Sequence, residues 1–131
     1  MRFAKPLIFA AIAMLFAALA PAVSAAGQLV MVEQAGCHWC ERWHEEVGVI
    51  YHKTDEAKAA PLRQVDIFDL PDDLNFKTRP QFTPTFVLFE GSEEVGRIEG
   101  YPSEDFFWPL LNQMIAKLPN KTGDEGSSLG N

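Results

Sequence analysis

Cysteine is scarce in this chain of 131 residues: there are 2, at positions 37 and 40. Positive charge is scarce as well, with 11 Lys and Arg against 18 Asp and Glu. Two cysteines so close together exclude a scaffold of disulfide staples, because the loop they close is too short to constrain a fold. The deficit of basic side chains excludes nucleic acid as a partner, since phosphates are held by Lys and Arg clusters that release counterions. A long apolar run is also missing. Leu7 to Ala20 is the most apolar stretch, and it falls short of the roughly 20 residues that span a bilayer.

That stretch follows Arg2 and Lys5 and precedes the small residues Val23-Ser24-Ala25. Residues 1–25 therefore have the layout of a cleaved secretory signal, with an uncleaved membrane anchor as the rival. Cleavage leaves 106 residues, one domain's worth, with 9 basic and 18 acidic side chains and a formal charge of −9. Such acidity is first of all a matter of solubility. Export puts the cysteines where disulfides persist, so this pair is chemistry.

The pair sits in Gly36-Cys37-His38-Trp39-Cys40, after the apolar run Leu29 to Val32 and before a helical pattern. At the head of a helix, unpaired N–H groups and the positive end of the dipole favour a thiolate at Cys37, while Cys40 tucks into the first turn. Cys37 is the expected nucleophile and the more exposed sulfur. Cys40 is expected to resolve the mixed disulfide. A permanently closed, inert pair is the bland alternative.

Along the chain, Gln28 to Glu33 is a strand covered on both faces. A helix follows from His38 to about Ala59, with Trp39, Trp43, Val47 and Ile50 on one face, Gly48 as a point of bending and Pro61 as its end. Leu62 to Ile67 alternates as a second strand. The segment from Phe68 to Gln81 has room for one or two helical turns around Leu74 and Phe76. Thr85 to Glu90 and Glu94 to Glu99 make an antiparallel hairpin. A closing helix starts at Ser103 as N-cap and carries Phe106, Phe107, Leu110, Leu111, Met114, Ile115 and Leu118, although Pro109 delays or kinks it. Residues 26–118 form the domain and 119–131 a flexible tail.

A lone Cys-x-x-Cys between strand and helix, with Phe82-Thr83-Pro84-Thr85-Phe86-Val87-Leu88-Phe89-Glu90-Gly91 further on, resembles the thioredoxin superfamily. The resemblance covers about residues 28–118. It implies an α/β fold with a central four-stranded mixed sheet flanked by helices. It also implies that Pro84, as a cis-proline, lies against the dithiol and that Thr83 offers backbone groups to an incoming peptide. Gly-Cys-His-Trp-Cys-Glu-Arg-Trp and the run from Glu94 to Pro102 are similar to small exported thioredoxins of the SoxS type, found with bacterial sulfur oxidation. That closer likeness implies a periplasmic thiol-disulfide oxidoreductase, a monomer, that reduces a disulfide or persulfide on a client such as a sulfur-carrier protein. A membrane electron donor of the DsbD or CcdA type would re-reduce it, and no cofactor beyond the dithiol is implied.

Around the pair several readings stay open. His38, when protonated, adds positive charge beside the sulfur and tunes redox poise, or it is an exposed imidazole that shields the site. Trp39 is a core residue or an apolar contact for a client. The superfamily usually places a buried carboxylate six residues before the first cysteine, and Met31 stands there. Glu33, on the same face by alternation, is either its substitute as proton acceptor or a solvated strand end. Two rival functions remain. One is a disulfide-forming oxidase or isomerase. The other, of a different class, is copper or zinc binding by Cys37, Cys40 and His44, which lacks a fourth ligand beyond His52. Haem attachment is excluded because Glu41, not His, follows Cys40.

Overall fold

The computed structural model describes residues 25–119. The expected signal, apart from Ala25, and the tail beyond Pro119 lie outside the described residues. Among the described residues no helix is long and apolar enough to cross a membrane.

The apolar runs become one mixed sheet in the order β2-β1-β3-β4, from β1 Gln28–Glu33, β2 Leu62–Asp66, β3 Thr85–Glu90 and β4 Glu93–Glu99. β1 runs parallel to β2 and antiparallel to β3, and β3 pairs antiparallel with β4 across a register shift at Leu88/Phe89. Leu29, Val30, Met31 and Val32 are all fully buried, as a strand covered on both faces requires. Alternation divides them. Leu29 and Met31 pack with the helices and both cysteines, while Val30 and Val32 pack on the far side with Ile67, Leu74, Val87 and Phe89. These directions bring the ends of β1, β2 and β4 and the start of β3 to a single edge of the sheet.

The first helical region is not one helix to Ala59. It runs as α1 His38–Trp43, a π-helical turn His44–Gly48, α2 Val49–Tyr51 and, after a break, α3 Asp55–Ala59. Thr54 causes the restart: its hydroxyl accepts the Ala57 N–H and so caps α3. The wide turn takes up one extra residue, so the buried face passes from Trp43 and Val47 to Tyr51. Ile50 and Trp39, expected on that face, are 41% and 48% exposed.

Two further expectations are corrected. The segment between β2 and β3 holds no helical turn; it crosses the sheet as an irregular cover that buries Leu74 and sets Phe76 edge-on against Phe89. The closing helix, α4 Glu104–Ile115, does not start late: Pro109 lies inside it. Ser103 holds the N-cap position without a side-chain bond; instead its carbonyl accepts the Phe106 and Phe107 N–H groups. Phe107, Leu111 and Met114 face the core, and Phe106 is exposed.

Candidate active site

The edge of the sheet where β1, β2 and β4 end is also where α1 begins. Gly36, at φ 73°, takes the left-handed conformation that turns the chain from β1 into the helix. Cys37 is the N-cap of α1, and its Sγ accepts the Cys40 N–H at 3.1 Å. The two sulfurs are joined as a disulfide with the Cα atoms 5.2 Å apart. Helix geometry explains the closeness, since a three-residue step from the cap returns the chain to the same side. Cys37 is less open than expected, at 8% exposure against 3% for Cys40, because the bridge turns it inward. It remains the outer sulfur of the two.

Cys37 and Cys40 open on a cavity of about 360 Å³, which Glu33, Glu41, His44, Gln64 and Asp66 also line. Glu33 lies on the dithiol side of β1, and its carboxylate sits 2.7 Å from His44 Nε2. The Gln64 side chain approaches the same nitrogen at 3.3 Å. Sequence reasoning weighed His44 only as a metal ligand; here Glu33 holds it. The signal was its place four residues after Cys40, on the same helical face. Among the described residues no group of three or more His, Cys, Asp or Glu side chains is placed to hold a metal ion.

His38 and Trp39 point elsewhere. Both are exposed, their rings meet edge-on at 5.5 Å, and Arg42 lies 5.6 Å from the Trp39 ring. His38 lines a separate groove with Glu41, Arg42, Glu45 and Glu46. Arg42 also binds Glu46, which accepts the Tyr101 hydroxyl at 2.6 Å and so ties the end of β4 to the helix. That hydroxyl bond, then the one from Arg42, holds the Glu46 carboxyl below its ordinary range. Burial, with Glu46 beside it, pushes the Tyr101 hydroxyl up.

The Thr83–Pro84 peptide is cis. Pro84 is buried just ahead of β3, and its carbonyl accepts the Gly100 N–H at 2.7 Å. Thr83 is half-buried, and the neighbouring Phe82 is 61% exposed. The exposure of Phe82 had no sequence signal, because the stretch between Pro80 and Pro84 has no periodicity.

The chain is similar to the crystal structure of the periplasmic thioredoxin SoxS from Paracoccus pantotrophus, solved in its reduced form. Sequence identity is 48%, TM-score 0.67, and the match covers 69% of this chain and 96% of that one. A thioredoxin of Malassezia sympodialis also matches, at 13% identity and TM-score 0.49 over 70% of this chain and 77% of that one. No protein-family model matches, and neither does any curated protein.

Proposed function

The chain belongs to the thioredoxin superfamily and is a thiol-disulfide oxidoreductase, and from that premise we propose that it works in the periplasm, in the reductive direction, on a disulfide or persulfide of a partner protein. The observation that carries the reading is the Cys37–Cys40 bridge at the head of α1, open to a cavity. The likeness to a periplasmic thioredoxin supports the compartment.

In the reduced protein the helix start favours a thiolate at Cys37. This thiolate attacks one sulfur of the client disulfide; a Cys37-client bond forms, the client bond breaks, and the first client sulfur leaves and takes a proton. Cys40 then loses its proton and attacks Cys37. The internal disulfide closes, the second client sulfur leaves and is protonated, and two electrons have passed to the client. Thr83 and Pro84 receive the client chain beside the dithiol, Trp39 gives it an apolar contact, and His38 tunes poise from outside the cavity. A membrane dithiol donor of the DsbD or CcdA type returns the two electrons, and the protein works as a monomer on a client such as a sulfur-carrier protein.

Two measurements test this. Cys40→Ala should leave Cys37 bonded to its client, which mass spectrometry of the adduct then identifies. The reduction potential should fall near the value of about −270 mV typical of thioredoxin; one near the roughly −120 mV of DsbA would make the protein an oxidant and sink the reductive reading.

A further inference from the structure

Resting on the exchange chemistry proposed above, the geometry points to Glu46 as a positioning residue for the client: one carboxylate oxygen holds Arg42 against the Trp39 ring, the other holds Tyr101 beside the cis-proline, and together they fix the opening between these two client-holding groups.

Every link in this tie is a contact. Arg42 Nε donates to Glu46 Oε1 at 2.8 Å, and the Tyr101 hydroxyl donates to Glu46 Oε2 at 2.6 Å. The Arg42 guanidinium carbon lies 5.6 Å from the centre of the Trp39 ring, within cation–π range. Trp39, Arg42 and Glu46 follow one another at steps of three and four residues, so they form a row along one flank of the helical region. The Tyr101 contact turns that flank towards the end of β4. There the chain is fixed as well. Gly100, the neighbour of Tyr101, donates its N–H to the Pro84 carbonyl at 2.7 Å, and the Tyr101 ring is buried edge-on to Phe107 at 6.2 Å. A continuous path therefore runs from Trp39 through Arg42, Glu46 and Tyr101 to the cis-proline.

Trp39 needs such a hold. It is half-exposed on the first turn of α1, where an indole has several rotamers open to it and a client would have to order one of them. Arg42, caught at Nε by Glu46, gives the ring a fixed partner instead. The hydroxyl bond from Tyr101, then the bond from Arg42, favours the ionised Glu46 carboxylate, which keeps the tie in place at neutral pH. Its effect falls on client binding: groups set in advance leave less for the client to order, while the exchange between Cys37 and Cys40 is left as it stands.

The test is turnover of the full chain on the symmetrical disulfide of a short neutral peptide with leucine beside its cysteine, with dithiothreitol as the recycling reductant. Glu46→Ala should raise KM about tenfold and leave kcat within about twofold of the parent. Arg42→Ala and Tyr101→Phe, which each cut one arm of the tie, should each raise KM about threefold. On a Trp39→Ala background Arg42→Ala should add nothing, because residues that act as one unit are not additive. Labelling the chain with 5-fluorotryptophan gives the direct readout. The fluorine resonance of Trp39, identified by its loss in Trp39→Phe, should shift in Arg42→Ala and in Glu46→Ala. Glu46→Gln keeps one acceptor oxygen, so its KM should fall between those of the parent and Glu46→Ala, and it carries the test if Glu46→Ala does not fold. A loss of thermal stability with KM unchanged would overturn the proposal, as would a fall in kcat at constant KM, an unmoved Trp39 resonance, or full additivity of Arg42→Ala with Trp39→Ala. A parent that does not reduce the peptide at all would overturn the exchange activity, and the proposal with it.

Discussion

The two faces of the sheet are closed by different physics. On one, helices pack through aromatic rings: Trp43 meets Phe86 at 5.2 Å and Phe107 at 5.7 Å, and Phe86 meets Phe107 at 4.9 Å. On the other, the irregular segment between β2 and β3 lies over Val30, Val32, Val87 and Phe89, and charged side chains fix it. Glu94, its side chain 3% exposed, binds Arg97 at 2.7 and 2.8 Å and accepts the Lys77 N–H at 2.8 Å. Arg97 and Arg79 cap the carbonyls of Thr78 and Ile67. A helix satisfies its own backbone and can be held by apolar contact alone. An irregular cover has to find partners for its N–H and C=O groups, and here Glu94 and Arg97 of β4, with Arg79 of the cover itself, supply some of them. The dithiol sits on the helical face, where aromatic packing is the main hold and the Glu33–His44 and Glu46–Tyr101 contacts add to it at the rim.

The largest effect that would sharpen this contrast is Trp43→Ala. Trp43 is fully buried at the centre of the aromatic cluster, so its loss should cost about 3–5 kcal/mol in denaturant unfolding. The cost should be the same at low and high salt. Strong salt dependence would mean that charge holds the helical face too.

Arg97→Ala comes next, on the other face. It strips the buried Glu94 of its cation while leaving the Lys77 N–H, a loss of about 2–3 kcal/mol. Burial alone would raise the Glu94 carboxyl; hydrogen bonds from Arg97 and the Lys77 N–H, with the Arg97 charge, outweigh it and hold the group below its ordinary 4.5. A carboxyl lowered in the fold contributes stability above its unfolded value and loses it as pH falls through the folded one. The parent should therefore shed this part of its stability on acidification below about 4.5, and the variant should show a shallower acid slope. Parallel acid curves for the two proteins would erase the distinction between the faces.

The same contrast separates what was legible in the sequence from what was not. β1, β3 and the hairpin could be read because apolar runs at a sheet's centre leave no other arrangement for Leu29 to Val32 or Phe86 to Phe89. The dithiol could be read because Cys-x-x-Cys and the strand before it are local features. The irregular cover could not, since Leu74 and Phe76 are apolar residues without a period, and Glu94 and Arg97, which bind the backbone of Lys77 and Thr78, are distant in sequence. Within the helical face the missing information was a single wide turn. The expected face through Ile50 assumed an unbroken period of about 3.6 residues, whereas the π-helical stretch hands burial to Tyr51 and brings His44 to Glu33.

Gly48→Ala, the smallest effect, probes that turn directly. Alanine is the better helix former by up to about 1 kcal/mol, so an ordinary helical position would gain stability. Here the new methyl would stand 3.1 Å from the Trp43 ring and 3.2 Å from His44 Nδ1. Trp43 is enclosed by Phe86, Phe107 and Tyr51 and has nowhere to retreat, and overpacking of this kind costs about 1–3 kcal/mol. The two contributions oppose each other, and the balance is a loss of about 1 kcal/mol in thermal or denaturant unfolding. His44 is the softer neighbour, because one edge of its ring faces the cavity. It should yield first, lengthening its contact with Glu33 in a crystal structure of the variant. A net gain in stability with the Glu33 contact intact would show that the wide turn is held by something other than the room Gly48 leaves.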